Sequence, residues 1–164
     1  MRFLTLLIAT ISLSACVSGG KSAVPMDESI SDAKSAMSQN TRIPIRLPSD
    51  LPGNSIARVQ ISTADRYVVE YFPDICEPCH AGFIQAQRLA SDDLPQDGQA
   101  IQLAGGIQGF YYPPVCGADC TDSEIRWVQD GVVYTISGGE GFEDSIKRLA
   151  DEAINNGVLN PPGN

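Results

Sequence analysis

Five residues of this 164-residue chain have the types and spacing to do chemistry. Cys76-Glu77-Pro78-Cys79-His80 sets two thiols three positions apart, with an imidazole directly after the second. Cys116 and Cys120 form a second close pair. Four chemistries fit. Cys76 and Cys79 can exchange disulfides if a neighbouring positive field stabilises the first thiolate. The same two thiols can hold a haem through thioether bonds, with His80 as axial ligand. All four thiolates can close a tetrahedral zinc site. Or the pairs can be structural disulfides, the first expectation for an even cysteine count in an exported chain.

Each option makes a demand on the elements around it. Redox chemistry at Cys76 and Cys79 resembles the thioredoxin type, which needs a strand before the motif and a helix after it. Residues 67–71 suit the strand, Pro78 suits the position before the second cysteine, and residues 83–90 are expected to form a short helix. Against it, a three-residue turn at 63–65 makes the preceding strand half of a hairpin, whereas parallel strands need a long crossover. Ile75 also stands where an aromatic would precede the motif. For haem, Met26 and Met37 are the methionines left to serve as a distal ligand once Met1 is removed, and both fall in a tether. Zinc requires free thiolates, which an oxidising space removes. Two structural disulfides are therefore the preferred reading. It favours the local pairs Cys76–Cys79 and Cys116–Cys120 over cross-links between loops, although four cysteines allow three pairings. Under it no residue is catalytic and no cofactor or metal is expected. Thiol–disulfide exchange by Cys76 and Cys79 is the main alternative, and haem at Cys76, Cys79 and His80 a lesser one.

The case for export lies at the amino terminus. Arg2 is followed by an apolar run from Leu4 to Leu13 that ends in Leu13-Ser14-Ala15-Cys16. The run has the length of a signal-peptide core and falls short of the roughly 20 residues of a membrane span. The tetrad resembles the lipobox of bacterial lipoproteins. The resemblance implies cleavage before Cys16, which becomes the first residue and carries a diacylglyceride on sulfur, usually with a third acyl chain on nitrogen. A single chain holds a protein to a bilayer marginally, whereas two or more hold it stably. The chain is thus expected on a membrane through a lipid anchor, facing the periplasm or the cell exterior. Val17, where an Asp is lacking, leaves sorting to an outer membrane open.

Charge limits the partners. The chain carries 11 basic and 20 acidic residues. Loss of residues 1–15 removes only Arg2, which leaves 10 basic against 20 acidic, a net charge of −10. Such a surface repels phosphates, and no basic cluster offsets it, so nucleic acid is excluded as a partner. An envelope protein is the partner expected.

Three regions follow. Residues 1–15 are the signal peptide. Residues 16–42, rich in Ser, Ala, Gly and Lys, read as a flexible tether spanning on the order of 28 Å. A helix within 27–37 lacks apolar residues to hold it. Residues 43–160 form one α+β domain with cysteine-bearing loops at 73–98 and 113–123.

Within that domain, Ile56, Val59 and Ile61 alternate with polar residues as a half-buried strand does, and 66–72 returns as its hairpin partner. Residues 101–103 and 108–112 form a second hairpin around Gly105-Gly106. Residues 125–129 and 132–137 form a third, with Asp130-Gly131 suited to a type I′ turn. Ile146, Leu149, Ala150 and Ile154 recur at helical spacing, predicting a helix over 142–155 that stops at Asn156-Gly157. The fold class is α+β: an antiparallel meander of five to six strands with the carboxy-terminal helix on one face.

Leu47-Pro48-Ser49-Asp50-Leu51-Pro52-Gly53, together with Ile125-Arg126-Trp127, Asp130-Gly131-Val132-Val133-Tyr134 and Ser137-Gly138, resembles a family of uncharacterised bacterial envelope domains. The resemblance implies an α+β fold and no catalytic residues. Taken together, a non-enzymatic, lipid-anchored envelope module that binds or supports a partner is expected. Trp127 reads as a core anchor, and Phe110, Tyr111 and Tyr112 as strand residues. Asp119, Asp122 and Glu124 read as a solvated acidic loop, since they lack the spacing of a calcium-binding loop.

Overall fold

The alternating segments pair into one antiparallel sheet, seen in a computed structural model that describes residues 29–53, 55–73, 81–89, 97–117, 119–139 and 143–159. Seven strands make it up: β1 (Ser55–Thr63), β2 (Arg66–Pro73), β3 (Gly82–Arg88), β4 (Gln99–Gln102), β5 (Gln108–Tyr112), β6 (Ser123–Gln129) and β7 (Val132–Gly138). Their order is β1-β2-β3-β7-β6-β5-β4. Two meanders, β1 to β3 and β4 to β7, therefore join where β7 lies against β3. The helices are α1 (Ile30–Ser38) and α2 (Glu143–Asn155).

The fold is α+β with a carboxy-terminal helix, as expected, and it has more strands than expected. The difference is β3. Gly82–Arg88 reads locally as helix because Ala, Gln and Arg are good helix formers. Its neighbours decide otherwise. Gly82, Ile84 and Ala86 turn inward and pair with Tyr71, Val69 and Tyr67 of β2. On the other side, Ile84 and Ala86 stand opposite Ile136 and Tyr134 of β7. Burial of the alternate residues outweighs a propensity difference of a few tenths of a kcal/mol per residue.

One face of the sheet is the core. Its rows run straight across the strands: Val69, Ile84, Ile136 and Ile125 in one, Tyr67, Ala86, Tyr134 and Trp127 in the next. Trp127 is fully buried and stacks on Tyr134 with ring centroids 5.2 Å apart, the anchoring role its sequence position indicated. Helix α2 closes this face with Ile146, Leu149, Ala150, Ala153 and Ile154, and it lies against β6 and β7. Asp130, at φ 55°, and Gly131, at φ 71°, form the tight turn between those strands.

The folded body also begins earlier than 43. Residues 30–38, assigned above to the tether, form α1 and pack against β1. Ile30, Ala33 and Met37 share one face of that helix, and the last two are fully buried. A capping box starts the helix: Ser29 Oγ accepts from Asp32 N–H, and Ser29 N–H donates to the Asp32 carboxylate. Three small or flexible apolar groups suffice because the sheet supplies the opposing surface, which an isolated helix of nine residues lacks. Residues 1–28, where the signal peptide, Cys16 and the first part of the tether are expected, lie outside the described residues.

A strap, residues 43–49, crosses the core face at the end of the sheet where β2 and β7 begin. Ile43, Ile45 and Leu47 are buried, and Ile45 pairs with Leu159. Two tyrosines of the sheet hold the strap by its backbone. Tyr67 Oη accepts from Arg46 N–H (3.1 Å) and donates to Arg46 C=O (3.2 Å), while Tyr134 Oη donates to Pro44 C=O (3.1 Å).

These phenols predict an alkaline limit. Burial raises Tyr67 well above the usual phenol value, and burial with the nearby Asp122 charge does the same to Tyr71. Burial pushes Tyr134 up to about 12 against the opposing charge of Arg46. In the unfolded chain these groups ionise near pH 10, while the folded chain keeps their protons. Above that pH the unfolded state binds fewer protons, so stability falls as pH rises. Urea midpoints should hold steady from neutral pH to about pH 9 and then drop. Tyr67→Phe should make the drop shallower.

The opposite face carries a polar and aromatic lattice. Arg58 lies over the Phe72 ring (5.2 Å) and Arg126 over the Tyr112 ring (4.6 Å). Gln60 donates to Glu70 (2.7 Å) and Arg66 to Gln85 (3.0 Å). Among the described residues no helix covers this face.

Candidate functional site

Both cysteine loops leave the sheet at the end away from the strap. There β2 ends at Pro73, β3 starts at Gly82, β5 ends at Tyr112, β6 starts at Ser123 and β7 ends at Gly138. This juxtaposition follows from the strand order.

The first loop is a hairpin connection. Ala81 N–H donates to Tyr71 C=O (3.1 Å), and Gly139 N–H donates to Ala81 C=O (3.0 Å). The chain thus enters β3 directly, antiparallel to β2. Cys76, Cys79 and His80 lie outside the described residues, but the element after them is described, and it is a strand. The helix expected at 83–90 is corrected to β3. With it goes the helix amino terminus that would have stabilised a Cys76 thiolate.

Packing at this end leaves no room for error. The Tyr71 hydroxyl donates to Ser137 C=O, and its ring crosses directly over Gly82. Ser137 is fully buried. Its Oγ accepts from Phe83 N–H (3.1 Å) and donates to Asp122 Oδ2 (3.2 Å). Beside it, Ser123 Oγ donates to Gly138 C=O (3.0 Å). Each of these polar groups closes the seam between β3, β7 and β6 where regular ladder bonds give out. A buried serine donating to a carboxylate has a nucleophile's neighbours. Here the hydroxyl is committed on both sides to backbone and loop, so it serves to join strands.

The sulfurs of Cys116 and Cys120 stand at bonding distance, 2.10 Å, so this pair is local, as the sequence reading favoured. Chain-entropy arithmetic assigns so small a loop about 2 kcal/mol of stabilisation. A disulfide here also takes two of the four thiolates that a zinc site would need. The acidic residues of the loop have other work: Asp122 accepts from Ser137, and Glu124 pairs with Arg126. Among the described residues no three metal-ligating side chains converge.

Sequence reasoning missed Tyr71, Ser137 and Asp122 as partners. The signal was present in part, since Gly82 after a cysteine loop marks a close backbone approach. What approaches it depends on β7, more than fifty residues on.

Comparison with family models, curated proteins and solved structures finds no match for this chain.

Proposed function

We propose that this chain is a lipid-anchored protein of the bacterial cell envelope, held by acyl groups on Cys16. Its α+β body acts as a binding or structural module without a catalytic role. The observation that carries the proposal is the tetrad Leu13-Ser14-Ala15-Cys16 directly after an apolar run of signal-peptide length. The bonded distance between Cys116 and Cys120 supports it, because such bonds persist in oxidising compartments. Among the described residues at the cysteine end, Ser123, Ser137 and Asp122 hydrogen-bond within the fold, which suits a structural role for them.

Fractionation tests the anchor. The wild-type chain should sediment with membranes and leave them only with detergent. Cys16→Ser, which removes the acylated sulfur, should abolish processing and detergent-dependent release. Recovery of the wild type in the aqueous fraction would refute the proposal. A separate assay addresses the enzymatic alternative. Wild type and Cys76→Ser should both reduce insulin no faster than dithiothreitol alone, and acceleration that depends on Cys76 would restore the oxidoreductase reading.

A further inference from the structure

The β5–β6 loop is closed twice. Val115 N–H donates to Thr121 Oγ1 (2.9 Å) and Thr121 N–H donates to Val115 C=O (3.0 Å). Inside that pair, Gly117 N–H donates to Asp119 C=O (3.0 Å). The Cys116–Cys120 bond sits within a ring that hydrogen bonds already hold. Both cysteines are exposed, and neither belongs to the hydrophobic core. Val115, next to Cys116, is 69% exposed, so the bond stands on an open promontory. A disulfide stabilises a fold most when it closes a long loop, and this one closes a short loop outside the core.

We infer that Cys116–Cys120 is a reversible redox site on the folded domain, opened by a dithiol and closed again without disturbing the sheet. The inference is independent of the lipid anchor. In the first step one thiolate of the dithiol attacks a cysteine Sγ. The Cys116–Cys120 bond breaks, a mixed disulfide forms, and the other cysteine leaves as a thiolate that takes up a proton. The second thiol of the dithiol gives up its proton and attacks the mixed disulfide, which releases the first cysteine to be protonated in turn. Two electrons pass to the chain, and the dithiol departs as a disulfide. Exposed disulfides are the labile ones because the attacking sulfur can reach them. The hydrogen bonds between Val115 and Thr121 keep the freed thiols close, so a small-molecule disulfide can close the bond again by the same two exchanges in reverse, taking up the two electrons and leaving as thiols.

The test uses the mature chain carrying Cys76→Ser and Cys79→Ser, so that one pair reports. Dithiothreitol is the probe, followed by acid quench, alkylation and mass measurement in native buffer. The comparator is an oxidised peptide of residues 113–122. Reduction should proceed within about tenfold of the peptide's rate. Emission from Trp127, the single tryptophan, should stay unchanged. Exchange of the reductant for a small-molecule disulfide should return the oxidised mass. A rate slower than that margin, or a change in Trp127 emission on reduction, would overturn the inference. If the double variant fails to fold, the wild type with peptide mapping of the two pairs gives the same readout.

Discussion

Gly82→Ala should lower the stability of the domain by about 3 kcal/mol, among the largest effects of any single methyl group in this fold. A Cβ at Gly82 would overlap the Ser137 carbonyl oxygen, the Tyr71 hydroxyl and the carbon that bears it. Two of those atoms form the hydrogen bond that ties β2 to β7 across β3. Relief therefore requires either separating backbone strands or swinging out a fully buried tyrosine. Both leave the Ser137 carbonyl without its partner. Gly109→Ala provides the contrast. Its Cβ would first meet Leu103 Cδ1, the mobile end of a side chain. Leucine can shift where a carbonyl cannot, so about 1 kcal/mol is expected. Urea unfolding monitored through Trp127 measures both. Equal losses would show that the crossing of Tyr71 over Gly82 is not what makes position 82 special.

The second large effect concerns a buried charge. The Arg46 side chain is 6% exposed, while its partner Asp130, 3.3 Å away, is 60% exposed. Arg46 Nη1 also reaches the Ile154 carbonyl near the end of α2 (3.5 Å), where a cation complements the helix dipole. The guanidinium carbon stands 5.9 Å from the centre of the Tyr134 ring. One side chain thus joins strap, helix and hairpin turn. The unequal burial makes the two partners unequal in mutation. Asp130→Gly keeps the positive φ of the turn but strands a buried cation, at a cost of about 2 kcal/mol. Arg46→Met preserves the packed stem and leaves Asp130 to water, at about 1 kcal/mol. The double variant should resemble Arg46→Met alone, a coupling that a double-mutant cycle reads directly. Additive losses would mean that the pair does not interact.

How much of this was legible before folding depends on the range over which each feature is decided. The hairpins at 56–72, 101–112 and 125–137 are set by local alternation and by turn residues such as Asp130-Gly131, and they stand within a few residues of where the pattern places them. Helix α2 is equally local, because Ile146, Leu149, Ala150 and Ile154 form a stripe on their own. Strand β3 is not. Its alternation of Gly82, Ile84 and Ala86 with Phe83, Gln85 and Gln87 has small residues inward, and that becomes intelligible only when Tyr71 and Tyr67 fill the space above them. Helix α1 was hidden for the same reason: Ala33 and Met37 are too few to signal a helix until β1 lies beneath them.

The site divides along the same line. The local pairing of Cys116 with Cys120 agrees with the reading that close spacing favours. The seam of Tyr71, Ser137 and Asp122 joins residues far apart in sequence, and no motif announces it. The resemblance of residues 47–53 and the last hairpin to an envelope-domain family gained no support from comparison with family models. The strap residues instead have physical tasks here: Arg46 anchors α2, and Ile43, Ile45 and Leu47 cover the core.

The account turns on whether acyl groups are attached at Cys16, as proposed. Intact-mass and peptide analysis of the protein extracted from membranes addresses this in one experiment. The predicted product begins at Cys16, carries at least a diacylglyceryl group on that residue, and has Cys116 and Cys120 joined. A product that still begins at Met1, bears no lipid and is recovered from the aqueous fraction with Cys116 and Cys120 alkylatable would contradict the account.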